Sequence, residues 1–196
     1  MVKRLLLIAL FAVTSLFAQN GAPSAELPKS RFVAQTEVYY SKLTIFREAL
    51  TFNGNGDFWL QFGREFRFSK YFSWTPSIGF NRNGWSFERA GHSGKMSFVV
   101  PYVSFSINAH PFDIGYVDLG LHYGRLTYCF GELDGKSTTE DDTYFSSYSH
   151  GFYTHVGADF LEHFRAGLVY RQTFIDSDTY PRVIVAALGG FVLYKF

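Results

Sequence analysis

The stretch DFWLQFGREFRF, Asp57 to Phe68, alternates with a period of two. Phe58, Leu60, Phe62, Phe66 and Phe68 share one parity, and Asp57, Gln61, Gly63, Glu65 and Arg67 share the other; only Trp59 and Arg64 break the split. Successive side chains of a strand point to opposite sides of a sheet, so this pattern predicts a strand with one apolar and one polar face. Gly115 to Tyr128 repeats it, with Val117, Leu119, Leu121 and Tyr123 opposite Asp118, Gly120, His122 and Gly124. In Gly151 to Phe160, Phe152, Val156, Ala158 and Phe160 oppose Tyr153, His155, Gly157 and Asp159.

Working outward, about eight such runs fill the chain from Phe32 onward. They span Phe32 to Tyr40, Asp57 to Phe68, Trp74 to Phe87, Met96 to Ile107, Gly115 to Tyr128, Tyr144 to Asp159, Arg165 to Phe174, and Arg182 to Phe196. Their connections alternate. Long polar loops (Ser41 to Gly56, Glu88 to Lys95, Cys129 to Thr143, Ile175 to Pro181) all fall on one end, and short turns (Ser69 to Ser73, Asn108 to Ile114, Phe160 to Phe164) on the other. This is the layout of an all-β, eight-stranded, antiparallel up-and-down transmembrane barrel with both termini on the short-turn side.

Composition bounds the function. At 196 residues the chain is one domain. Aromatic residues make up 20% and charged residues 18%, with a formal net charge of +1, which excludes a disordered tail and a nucleic-acid binder. The single cysteine, Cys129, excludes an intramolecular disulfide and a multi-cysteine metal site. No cofactor-binding or metal-binding pattern is present: Asn53-Gly54-Asn55-Gly56 serves a turn, and His122 and His155 read as hydrogen-bonded lumen residues. Lys3 and Arg4 followed by the apolar run Leu5 to Ala18 read as a cleaved signal peptide, residues 1–18. The alternative is a retained anchor helix. Gln19 to Arg31, rich in Ala, Pro, Ser and Gly, reads as a periplasmic tether, and 32–196 as the barrel. The expected location is therefore the outer membrane.

In such a barrel the apolar parity faces lipid and the polar parity faces inward, and at eight strands side chains fill the lumen. The inward charges are Glu37, Glu65, Asp118 and Asp159 against Arg67, Arg165, Arg171 and Lys195, a balanced set. A buried charge without a partner is costly, so these residues predict a salt-bridged plug toward the short-turn rim, with Asp159 and Arg165 meeting across one hairpin. Aromatic girdles are expected at both rims. Near the short turns they comprise Phe66, Phe68, Tyr71, Phe72, Trp74, Phe160, Phe164, Tyr194 and Phe196; near the long loops, Tyr39, Tyr40, Trp85, Phe87, Tyr128, Phe130, Tyr144, Phe145 and Tyr148.

The last run, Arg182 to Phe196, ends in Tyr194, Lys195 and Phe196 and resembles the closing strand of Gram-negative outer-membrane proteins. With the signal segment and the eight runs, the chain resembles the small outer-membrane barrel class of the OmpA and OmpX type. The resemblance implies that Tyr194 and Phe196 form an assembly signal read by the barrel-assembly machinery. Phe191 departs from the class pattern, which usually has glycine there, with Gly189 and Gly190 just before it. Surrounding outer-membrane lipid and lipopolysaccharide, no nucleic acid and a monomeric state complete the expected partners.

Two features strain the eight-run reading. Pro101 sits inside the fourth run, where it removes a ladder donor, and a bulge there would accommodate it. Asn83-Gly84 is a hairpin signal inside the third run; a turn there would assign Trp85 to Phe87 to the return strand or the loop. Chemistry has thin support. Ser146, His150 and Asp142, and separately His92 and Ser93, are the candidates for a lipid-A acyltransferase or deacylase, and no catalytic residue is expected. The acidic loop holding Glu132, Asp134, Glu140, Asp141 and Asp142 lacks the ligand spacing of a calcium loop. The expected role is structural or surface interaction through the long loops. The alternatives are a lipid-A-modifying barrel enzyme and a secreted soluble ligand-binding barrel.

Overall fold

The computed structural model describes residues 30–45, 50–54, 56–89, 92–111, 114–133, 136–139, 148–176 and 183–196. The segment read as signal peptide, most of the tether, and Ser146, Asp142 and the acids at 134 and 140–141 lie outside them. Eleven strands are present: β1 (Ser30–Ile45), β2 (Leu50–Gly54), β3 (Asp57–Arg67), β4 (Phe72–Arg89), β5 (His92–Ala109), β6 (Gly115–Arg125), β7 (Tyr128–Leu133), β8 (Lys136–Thr139), β9 (Tyr148–Leu161), β10 (Phe164–Asp176) and β11 (Val183–Lys195). Among the described residues there is no helix.

Eight of these strands close a barrel in the order β1-β3-β4-β5-β6-β9-β10-β11, every neighbour antiparallel, and β1 pairs again with β11 from Val33↔Lys195 to Ile45↔Val183. The Phe196 N–H continues that seam by donating to the Phe32 carbonyl at 3.0 Å. β2, β7 and β8 extend the wall at the long-loop end, β2 returning along β1 and β4, and β7 pairing with β5 and β8. Part of the sequence expected as long loops is thus paired hairpin. The kink between β2 and β3 falls at Gly56, whose φ of 82° is in the left-handed region open to glycine.

Alternation places the two faces as the pleat requires. Val38, Ile78, Leu121, Leu168 and Leu188, all mid-strand, are 64–67% exposed, while Glu37, Asp118, His122 and Arg171 on the opposite parity are buried. An outward face this apolar is the reverse of a soluble barrel and matches a hydrocarbon surround. The parity-breaking Arg64 is outward too. It lies near the short-turn end with its guanidinium 5.2 Å from the ring centres of Phe32 and Phe66, bonding Ser30 Oγ at 2.8 Å, so its stem covers apolar surface while its head reaches the rim.

The aromatic rims differ from the sequence expectation in part. At the short-turn end Phe66 stacks on Trp74 at 4.7 Å, Phe164 meets Tyr194 at 5.0 Å and Tyr194 meets Phe196 at 4.8 Å. At the other end Tyr40 is outward and Tyr123 stacks on Tyr148 at 5.7 Å. Tyr39 and Trp85, expected in that girdle, point into the lumen instead. Their polar atoms find partners there: Tyr39 O–H donates to Asn83 Oδ1 at 2.9 Å, and Trp85 Nε1–H to Ser41 Oγ at 3.0 Å. Side chains of Phe87, Tyr128, Phe130, Tyr144 and Phe145 lie outside the described part.

Asn83-Gly84 makes no turn. β4 runs straight through it in register with β5, Asn83 opposite Phe98 and Gly84 opposite Ser97. The Pro101 bulge falls on the facing strand. Val99 pairs with Tyr128 and Tyr102 with Gly124, so Val100 and Pro101 face three residues, Arg125 at the end of β6 and Leu126 and Thr127 between β6 and β7. Thr127 N–H donates to the Val99 carbonyl at 3.1 Å. Two residues along, Pro101 turns the same way, so its missing N–H meets the interruption and no ladder bond is lost.

Gly120 faces the lumen where the Tyr153 ring lies against its Cα, and a Cβ would penetrate that ring. Gly190 meets only the Gly167 carbonyl, at 3.6 Å from where a Cβ would sit. We expect Gly120→Ala to destabilise the barrel by about 1–3 kcal/mol in urea unfolding from micelles, the usual range for overpacking, and Gly190→Ala to leave it within error of the parent.

Candidate functional site

The lumen contains the polar chemistry of the molecule, arranged in three levels. Near the short-turn rim, Glu65 collects Arg31 at 2.6 Å, His110 at 3.3 Å, Arg67 at 3.7 Å and the Ser73 hydroxyl at 2.7 Å. Beside it, Asp159 accepts from Arg165 Nε at 2.7 Å and pairs with Lys195 at 3.0 Å, and the Arg165 guanidinium sits 3.6 Å from the Tyr116 ring centre. One level up, Arg171 Nη2 lies 2.7 Å from both oxygens of Glu37. His155 bridges two acids: its Nδ1 is 2.8 and 2.9 Å from the Asp118 oxygens, its Nε2 3.1 Å from Glu37 Oε1. Asp118 also accepts from Tyr116 O–H at 2.7 Å and from the His155 backbone N–H at 2.8 Å. Gln35 completes this level by donating to Glu37 at 2.9 Å.

Pairing the eight inward charges therefore takes residues from six strands, β1, β3, β6, β9, β10 and β11. The geometry joins Glu37 with Arg171, Asp159 with Arg165 and Lys195, and Glu65 with Arg67; Asp118 meets a histidine and a tyrosine rather than a base. Arg31 completes the Glu65 cluster. The sequence alone places it at the end of the tether, because a single residue before the first alternating run carries no parity signal. β1 begins at Ser30, and Arg31 stands opposite Glu65 in the ladder. His110 is a second partner that the turn assignment concealed.

Arg171 Nε and Nη1 have no hydrogen-bond partner, yet the guanidinium lies 3.3 Å from the Trp59 ring centre and 4.5 Å from that of Tyr153. Aromatic faces supply the attraction that oxygen acceptors do not. This explains why Trp59 breaks the parity of the opening stretch: it is an inward residue, 1% exposed, serving as the floor for a buried cation.

The upper level is apolar. Trp85, Phe98, Val100, Leu126, Ile175 and Val185 pack into one buried cluster. Below it the Asp57 carboxylate accepts from the Ser41 hydroxyl and, at 2.6 Å, from the Gly84 N–H. Phe191, the departure from the class pattern, also fills the lumen, its ring 4.6 Å from that of His155. Tyr194 and Phe196 lie on the outer surface, Phe196 67% exposed. Of the hydrolase candidates, His150 faces outward and pairs with Asp176 at 3.4 Å. Among the described residues, no group of three or more His, Cys, Asp and Glu is placed to hold a metal ion.

A closed eight-stranded antiparallel barrel, apolar outside and filled by charged side chains inside, is the fold of the small outer-membrane β-barrels. No protein-family model matches the sequence, and no curated protein matches it. Among solved structures it is similar to neisserial surface protein A (TM-score 0.60, 15% identity, 86% of this chain and 100% of that one). It is also similar to the outer-membrane protease OmpT of Escherichia coli (TM-score 0.50, 5% identity, 88% and 99%). The attachment invasion locus protein Ail of Yersinia pestis aligns at TM-score 0.47 with 13% identity over 85% and 100%. Identities this low show the fold and nothing of the activity.

Removing one member of a buried pair strands its partner, at a cost of about 3–5 kcal/mol. We expect Arg171→Met to lower stability by that order in urea, and Arg171→Met combined with Glu37→Gln to recover part of the loss. Arg165→Ala is expected to lower the temperature at which the folded band disappears on gels.

Proposed function

We propose that the protein is an outer-membrane barrel, exported with removal of its first residues, with a structural or surface-interaction role carried by its long-loop end. The observation that carries this reading is the inversion of the two faces: leucine, isoleucine and valine exposed along mid-strand, arginine and glutamate buried within. Such an outer wall suits hydrocarbon, and among the described residues the lumen is occupied by ion pairs and by the Trp85 cluster, as an eight-stranded barrel of this size requires. On the loop side the wall is extended by β2, β7 and β8, and there an interaction with another molecule would take place.

The expected surroundings follow from the same surface. Lipid and lipopolysaccharide would contact the apolar belt, and Tyr194 and Phe196, on the outer face of the closing strand, are available to the barrel-assembly machinery. The eight barrel strands have no open edge for a second copy to extend, which supports a monomer; outside them β8 pairs only with β7.

Fractionation followed by electrophoresis of unboiled and boiled samples tests the reading. The protein is expected in the outer-membrane fraction, with a faster-migrating band that shifts on boiling, and without step conductance in planar bilayers. Recovery in the aqueous fraction without detergent would overturn it.

A further inference from the structure

Arg64 stands exposed on the outer wall of β3, between Phe62 and Phe66 on the same parity. Register places Phe32 of β1 beside it, and Phe66 opposite Ser30 one step toward the short turns. The guanidinium lies 5.2 Å from the centre of each of these two rings, and the Ser30 hydroxyl accepts from Nε at 3.2 Å and from Nη2 at 2.8 Å. One hydroxyl and two rings thus seat a long cationic side chain. Of the five N–H groups in the fork two go to Ser30, which leaves two on Nη1 and one on Nη2 along the opposite edge. The acids at this end of the barrel are taken up inside the lumen, Glu65 by Arg31 and Arg67, and Asp159 by Arg165 and Lys195. The chain ends on the far side of β1, where the Phe196 N–H meets the Phe32 carbonyl, and among the described residues no carboxylate pairs with Arg64.

Resting on the membrane reading above, we propose that Arg64 and Ser30 hold the headgroup of one phospholipid of the periplasmic leaflet, a lipid whose only charge is its phosphate. In such a barrel the short turns face the periplasm, the side on which the leaflet is phospholipid rather than lipopolysaccharide. The depth suits a headgroup, because Phe66 stacks on Trp74 at 4.7 Å within the aromatic belt of that rim. Deeper in the wall Phe62 stands opposite Ile78, both more than half exposed, and an acyl chain lies against them. The two unesterified oxygens of a phosphodiester match the open edge of the guanidinium, and the Ser30 hydroxyl keeps its own proton to donate to one of them. The lone charge selects the headgroup. Arg64 neutralises the phosphate, and with no acid beside it an ethanolamine or choline cation finds no partner and is repelled, while a glycerol headgroup brings no second cation.

Native mass spectrometry of the full chain in micelles tests this, with phosphatidylglycerol, phosphatidylethanolamine and phosphatidylcholine of identical chains supplied together. The glycerol lipid is expected as the leading adduct, favoured about threefold over the choline lipid, the scale of one ion pair at a water-facing surface. Arg64→Gln should abolish that preference and Ser30→Ala should weaken it, both with the heat-shifted band intact. Lys70→Gln removes an equal charge from the same rim, where Lys70 Nζ lies 5.4 Å from the Tyr71 ring centre, and should leave the preference as it was. Equal adducts of the three lipids, dominance of the ethanolamine or choline lipid, absence of adducts, a preference that survives Arg64→Gln, or one lost equally in Lys70→Gln would each overturn the proposal. Loss of the heat-shifted band in the unsubstituted protein would instead count against the membrane reading itself.

Discussion

A sheet surrounded by hydrocarbon cannot leave an edge, because nothing outside it can accept from or donate to the free backbone groups. The seam between β1 and β11 answers that constraint, and much else in the molecule follows from it. Closure with eight strands leaves an interior of side-chain width, so whatever points inward must pack with its neighbours. Closure also makes each interruption of the ladder costly. Pro101 is accommodated because the extra residue sits across from it, between β6 and β7, where the donor it lacks is not required.

The interior then has to satisfy two demands at once, filling space and neutralising charge. Aromatic rings meet both. Trp59 and Tyr153 cover the faces of Arg171, and Tyr116 lies under Arg165 while its hydroxyl donates a hydrogen bond to Asp118. His155 is placed between two carboxylates, its Nδ1 toward Asp118 and its Nε2 toward Glu37. The result is a lumen in which the two most buried arginines, Arg165 and Arg171, each meet an aromatic ring as well as an acid. That is also why the inward parity reads as a mixture in the sequence.

The fold was legible because its determinant is a period of two, repeated along the chain, and Asp57 to Phe68 alone shows it. The asymmetry of long and short connections added the membrane layout. Individual orientations were less legible. Tyr39 and Trp85 have the composition of girdle residues, and only their inward hydrogen bonds distinguish them; Asn83-Gly84 has turn chemistry, but pairing on both sides of the strand holds it extended. Parity selected the inward charges without saying who meets whom. The pairing of Glu65 with Arg31, or of Asp118 with His155, depends on barrel register, which no local pattern encodes.

Glu37 and Arg171 are 134 positions apart in the chain, and Glu37 and His155 are 118 apart. Neither contact exists in any partial sheet built from consecutive hairpins, because β1 meets β10 and β9 across the lumen only after the last strand has joined the first. Until then the acids and bases of the inner face must stay hydrated. Entry into the bilayer and expulsion of water from the lumen are therefore coupled to one late event, and topology of this kind makes folding slow. A chain that inserted its outer face early, before the ends met, would carry unpaired charge into hydrocarbon. The ionic interior is thus complete only once the barrel has closed.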